Sequence, residues 1–264
     1  LTEADLARDW TWGAYDEGLR YAFFRTYEEL RDLAATTVAE RSAHGLTISA
    51  AQRALAQYQA AYRDLQALLV GLPDAELDRA PAADEWPLRS VLEHIIGAEG
   101  SFYVLVRYAL ERKRSGDDRP AEIPEAFWVQ VIGPEEPLYK AAMAGSLAEI
   151  WAYYGRLNRR VIDEFAAIDA EESQAPSRYW EGYDLPIQFR LHRFDAHMRQ
   201  HTIQAEKTLA ALGRPPSEAM RLLRLIYAAL ADVEGAAIGA ADVAAQRRHA
   251  IAEAILARAT EIAG

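Results

Sequence analysis

The chain has 264 residues, 51% hydrophobic and 10% aromatic, enough for one large domain with a full core and incompatible with a disordered chain. Its 29 basic residues stand against 40 acidic ones, a formal charge of -11, and without a clustered basic face that excludes a nucleic-acid footprint. There are no cysteines, so disulfides and thiolate metal ligands are excluded, and no apolar run reaches the roughly 20 residues that span a bilayer. Abundant alanine and leucine with sparse glycine and proline favour an all-α fold. Residues 1–12 are acidic and lack a signal-peptide pattern, so the expected location is the cytoplasm.

In chain order, Leu19, Ala22, Phe23, Tyr27, Leu30 and Leu33 predict a helix over residues 15–43 with one buried face. An arm carrying Trp10 and Trp12 precedes it, and residues 42–45 stop it. Ser49 caps a second helix through Leu55, Tyr58, Tyr62, Leu65 and Leu69 to Gly71. Breaks at Leu72-Pro73 and between Pro81 and Pro87 lead to a third helix, which begins near Pro87 and carries Leu92, Ile95, Phe102 and Val106 to about Gly116. Residues 115–145 are rich in proline and glycine but include Phe127, Trp128, Val131 and Tyr139, which need burial. They are expected to form a long ordered loop of the kind that makes lids and pocket walls.

Ser146 opens a fourth helix, with Glu149 three residues on as in a capping box, running to about Ile168. A second aromatic loop, residues 177–183, leads to Pro186 and a fifth helix that ends at Gly213. A sixth follows Ser217 to about Gly235, and a seventh spans residues 240–262. Seven helices and two aromatic loops predict a helical bundle with appended helices.

The run His197-Met198-Arg199-Gln200-His201-Thr202-Ile203-Gln204 lies in the fifth helix. With about 3.6 residues per turn, the imidazoles of His197 and His201 share one face, and Gln204 falls close to them. A transition metal needs neutral imidazoles converging from rigid backbone, and an i, i+4 pair supplies two of them. His94, mid-way along the third helix, is the natural third nitrogen; a core histidine bonded to a carbonyl is the alternative. Gln204 is expected either to orient a ligand or to serve a neighbouring helix. Arg190 and Arg193 fall on the face of His197, one to two turns earlier. There they would contact a substrate carboxylate or phosphate if the face lines a pocket, or pair with surface acids if it does not.

His192 lies about 180° from His201 around the helix and is set aside. His44 and His249 read as solvated. Asp195 is on the far face, Glu93 and Glu99 read as surface residues, and no general base is assigned. Trp128, Tyr179, Trp180 and Tyr183 are read as core or as the wall of a pocket.

Two motifs carry a family resemblance. Glu85-Trp86-Pro87-Leu88-Arg89-Ser90-Val91-Leu92-Glu93-His94 resembles the tryptophan-then-histidine second bundle helix of the DinB/YfiT-like superfamily. The His197–Gln204 run resembles that superfamily's HxxxHxxQ last helix, and Pro73-Asp74-Ala75-Glu76-Leu77-Asp78 has the look of the segment after its first helix. The likeness covers roughly residues 49–213, with residues 1–48 and 214–264 as additions expected to pack on the bundle, close over the site or dimerise.

The resemblance implies a four-helix bundle of up-down-down-up connectivity in which His94, His197 and His201 bind a divalent ion, nickel or zinc first, iron or manganese otherwise. It also implies a small-molecule substrate, and transfer of a low-molecular-weight thiol is the most concrete reaction. Hydrolysis by an activated water, or a non-catalytic metal-binding or ligand-binding stress-response bundle, are the alternatives. No nucleic-acid or membrane partner is expected.

Overall fold

The computed structural model describes residues 1–263. A short helix, α1 (Glu3–Leu6), and a two-residue hairpin of β1 (Thr11–Trp12) and β2 (Tyr15–Asp16) precede the long α2 (Leu19–Ala43). The helix predicted from residue 15 therefore begins at Leu19, because residues 15 and 16 pair back onto 11 and 12. Of the two arm tryptophans, Trp10 is buried with Leu6 and Leu19, whereas Trp12 stays exposed beneath the Arg25 guanidinium.

α3 (Ala50–Leu68) starts from a capping box. The Gln52 amide nitrogen donates to Ser49 Oγ, and the Ser49 N–H donates to Gln52 Oε1, both at 3.1 Å. α4 (Leu88–Arg114) follows Pro87, and Arg89 pins its first turn. That guanidinium donates to the carbonyls of Met143 and Gly145 at 2.7 and 2.8 Å and pairs with Asp78. The stretch expected to be a loop contains two short helices, α5 (Glu125–Ile132) and α6 (Glu136–Met143). Two of its prolines sit at helix starts, Pro124 at the cap of α5 and Pro137 in the first turn of α6, where a missing N–H costs nothing.

α7 (Leu147–Phe165) has the predicted Ser146/Glu149 box. The second aromatic loop is a hairpin of β3 (Pro176–Arg178) and β4 (Asp184–Pro186), which runs straight into α8 (Ile187–Ala211). α9 (Glu218–Ala237) and α10 (Ala245–Ala263) complete the chain.

Helices α3, α4, α7 and α8 form a four-helix bundle in which α3 and α4 each pack against both α7 and α8. Its core is one continuous cluster, with Leu55, Leu65, Val91, Ile95, Ile150, Val161, Leu191 and Phe194 fully buried. Each such side chain contributes about 1.5–3 kcal/mol of burial free energy.

The appended helices make a second layer. α9 packs on both α2 and α3, and α10 packs on α2, around two smaller clusters centred on Leu19, Phe23 and Leu222 and on Leu30, Leu33 and Val233. No described helix is long and apolar enough to cross a membrane.

Arg41, only 2% exposed, clasps the two layers. Its guanidinium donates to the carbonyls of Ala236 (3.0 Å) and Ile238 (2.7 Å) at the end of α9, to Leu46 O (3.1 Å), and to Gln52 Oε1 at the start of α3 (2.5 Å). A cation at the C-terminus of α9 also meets the negative end of the helix dipole. Arg41→Met keeps the aliphatic stem but orphans these acceptors. It is expected to lower unfolding free energy by about 3 kcal/mol, read as a shift in denaturant midpoint. An unchanged midpoint would mean that the clasp is dispensable.

Candidate metal centre

The packing of α4 against α8 brings residues 103 positions apart in sequence into contact. His94 Nε2 and His197 Nε2 are 3.1 Å apart. The imidazole centroids of His94, His197 and His201 are separated by 5.0, 4.5 and 4.5 Å. One ring nitrogen from each lies within 4.8 Å of the other two, close enough for the three to hold one metal ion.

Gln204, one turn beyond His201, accepts a hydrogen bond from His201 Nδ1 through Oε1 at 2.7 Å. That contact places the proton on Nδ1 and leaves the Nε2 lone pair as the donor His201 can offer. His197 Nδ1 is buried and has no hydrogen-bond partner among the described residues.

Aromatic rings frame the cluster. Phe102, two turns after His94 on α4, presents an edge-to-face contact to His197 at 5.4 Å, and Trp86 does the same to His94 at 5.3 Å. Tyr139 on α6 donates to the Glu93 carbonyl at 3.1 Å, directly beside His94. Its hydroxyl would stand 3.3 Å from a Cβ on Gly97, so the absence of a side chain there lets α6 approach. The segment once expected to be a loop thus becomes one wall next to the cluster. Trp86 was part of the sequence motif. Phe102 and Tyr139 read only as core or loop aromatics, because nothing in their spacing points to a partner on another helix.

The electrostatics suit a cation. Burial, followed by the neighbouring His201, His94 and Arg193, lowers His197 to a pKa of about 4, and burial together with His201 also lowers His94. Both rings are neutral at pH 7, the form in which imidazole binds metal. His197 and His201 are buried while His94 is exposed, so the cluster opens to solvent along α4. Only the three histidines converge here among the described residues, and a three-nitrogen set leaves coordination positions for water or substrate. Imidazole donors without thiolate suit zinc, nickel or iron.

The remaining candidates fall elsewhere. His192, His44 and His249 are exposed and apart from the cluster. Arg190 is 4% exposed in its side chain and ion-paired with Glu181, and its Nε donates to Ser177 Oγ at 3.0 Å, so it ties α8 to the β3–β4 hairpin. Arg193 lies over the Phe102 ring at 5.6 Å and has no carboxylate partner among the described residues. Glu93 is exposed as expected.

Glu99 is not a surface residue. It is fully buried and takes hydrogen bonds from Tyr58 (2.8 Å) and Tyr154 (2.7 Å). The signal was present in the sequence: Ile95, Glu99, Phe102 and Val106 follow the i, i+3/i+4 stripe of the buried face.

An all-α bundle with a three-histidine cluster open on one side is the architecture of a helical metal-site protein. The match is specific: the model of the DinB superfamily fits residues 57–205, more than half of the chain, and spans all three histidines and Gln204. The chain belongs to the DinB superfamily. All of α2, α9 and α10 lie outside the matched residues. No curated protein and no solved structure matches the chain.

Proposed function

We propose that this protein is a metal-dependent enzyme in which His94, His197 and His201 hold a divalent transition-metal ion and activate a low-molecular-weight thiol for transfer. The observation that carries the reading is the convergence of three imidazoles with one of them, His94, at the surface. When bound at such a site, a divalent ion supplies Lewis acidity that lowers the pKa of a thiol or water enough to give a nucleophile at neutral pH.

The chain's own residues supply orientation and binding. Gln204 fixes the tautomer of His201, and Trp86 and Phe102 hold the rings of His94 and His197 in place. A cavity of about 260 Å³ shares Phe102 with the cluster and is walled by Tyr179, Trp180, Tyr183 and Phe189, with Arg193 at its edge. The hairpin aromatics there would receive an apolar electrophile, and the uncommitted Arg193 guanidinium would hold an anionic group on it.

The test has two stages. Elemental analysis of tag-free protein should return about one equivalent of nickel, zinc, iron or manganese, lost in His94→Ala. The loaded protein should then accelerate reaction of a small thiol with chlorodinitrobenzene, and the His94→Ala variant should not. Metal-dependent cleavage of nitrophenyl acetate without thiol transfer would move the assignment to a hydrolase. Metal bound at full stoichiometry with neither activity would make the protein a metal-binding bundle.

A further inference from the structure

A roomy cavity among the described residues lies away from the histidines. A groove of about 960 Å³ runs where α3 and α7 of the bundle meet α9 and the start of α10. It exists because α9 packs on α3, so about a third of its wall comes from residues outside those matched to the family.

Its floor is polar in a way that the fold does not use. Gln59 and Asn158 are 5% and 4% exposed, and Gln59 Oε1 and Asn158 Nδ2 have no hydrogen-bond partner among the described residues. A buried amide donor or acceptor left unpaired has lost its water without compensation, so two in one groove call for a partner. The other end of Gln59 is fixed, because its Nε2 donates to Glu234 at 2.7 Å, which aims Oε1 away from that contact. The Asn158 amide leans on the Tyr58 hydroxyl oxygen, whose proton goes to Glu99, and makes no geometrically complete hydrogen bond there.

The rim is cationic in a chain of net charge -11. Arg156, Arg159 and Arg248 line the groove with no carboxylate partner among the described residues: Arg156 donates to the Ala152 carbonyl and lies over the Tyr153 ring, and Arg248 donates to the Ala241 carbonyl. Arg63 also lines it but is neutralised by Glu234, and Asp163 is the remaining acid. The wall includes Trp151, stacked on Tyr154 with ring centroids 5.7 Å apart.

We infer that this groove binds a flat organic anion that carries an amide or ureide group. The amide would meet Gln59 Oε1 and Asn158 Nδ2, its ring would lie along Trp151, and its carboxylate or phosphate would engage the unpaired arginines. The donor–acceptor pair reads the amide, and guanidinium forks read the anion. The site is independent of the histidine cluster, which lies between α4 and α8.

Calorimetric titration of the full-length protein with hippurate tests the carboxylate form, and uridine monophosphate tests the phosphate form. Saturable one-to-one binding of either supports the site, and the one that binds identifies the anion. Arg156→Glu/Arg159→Glu changes two exposed side chains and leaves the fold intact. It should weaken binding at least about tenfold, the loss of roughly 1.4 kcal/mol. Asn158→Asp should weaken it by a similar factor, with helical content checked by circular dichroism. His94→Ala should bind as the wild type does. Failure of both probes to saturate the wild type, undiminished binding in the arginine variant, or loss of binding in His94→Ala would each overturn the inference.

Discussion

Substituting alanine for His201, or for His197, is expected to abolish stoichiometric binding of a divalent metal, while His192→Ala retains about one ion per chain. The three positions share one helix, so their propensity cost is the same and the contrast isolates geometry. His197 and His201 are buried toward His94 and their rings touch it, whereas His192 is exposed. Removing either of the first two leaves two nitrogens, too few to hold a transition metal against buffer.

Gln204→Ala should have an intermediate effect. It deletes the acceptor that holds His201 Nδ1–H, and loss of such an outer contact weakens metal affinity about 10–100-fold. Competition against a chromogenic chelator at pH 7 measures all four variants on one scale. Full-affinity binding in His201→Ala would sink the three-histidine site, and unchanged affinity in Gln204→Ala would remove the amide from it.

The cluster was legible in the sequence as far as one helix reaches. The i, i+4 spacing of His197 and His201 and the following Gln204 are local geometry, and the capping serines of α3 and α7 are local chemistry; the structure has each of them in place. His94 reads as the natural third nitrogen or as a core histidine, and only the resemblance chooses between them in the sequence, because a separation of 103 residues carries no distance.

What escaped was tertiary. The segment 115–145 reads as loop since its prolines and glycines sit close together, yet Pro124 caps α5 and Pro137 lies in the first turn of α6, positions that let both helices form. Arg41 carries no spacing signal at all: its partners are backbone carbonyls on α9, invisible in any residue pattern. The groove at Gln59 and Asn158 needs α9 laid against α3, a packing choice that no single helix records.

Glu99 marks the opposite case, a charge-bearing residue placed where the periodicity demands an apolar one, and its replacement should alter stability in a pH-dependent way. Burial pushes its carboxyl from an ordinary 4.5 up to about 8, despite the tyrosine hydrogen bonds that favour the charged form. At pH 7 the folded protein therefore holds the proton.

The neutral acid completes a consistent network. Tyr58 donates to one carboxyl oxygen; Tyr154, which donates to the other when the carboxyl is charged, can accept the acid's O–H when it is neutral and turn its own hydroxyl to Met198 Sδ at 3.7 Å. The unfolded chain releases that proton near pH 4.5, so each rise in pH from there to about 8 favours unfolding. The stability lost through this group amounts to about 3 kcal/mol by pH 7.

Glu99→Gln keeps the shape, one donor to Tyr154 and one acceptor for Tyr58, and has nothing to titrate. Its one surplus N–H costs about 1 kcal/mol, so it should be slightly less stable than the wild type near pH 4.5 and more stable by a few kcal/mol near pH 8. Glu99→Leu also removes the titration but leaves two buried hydroxyls without their partner, and should be destabilised at every pH. Denaturant midpoints for the three proteins between about pH 5 and pH 8 decide the matter. Curves for wild type and Glu99→Gln that run parallel would mean that the buried carboxyl is ionised in the fold and that the network rests on a charge.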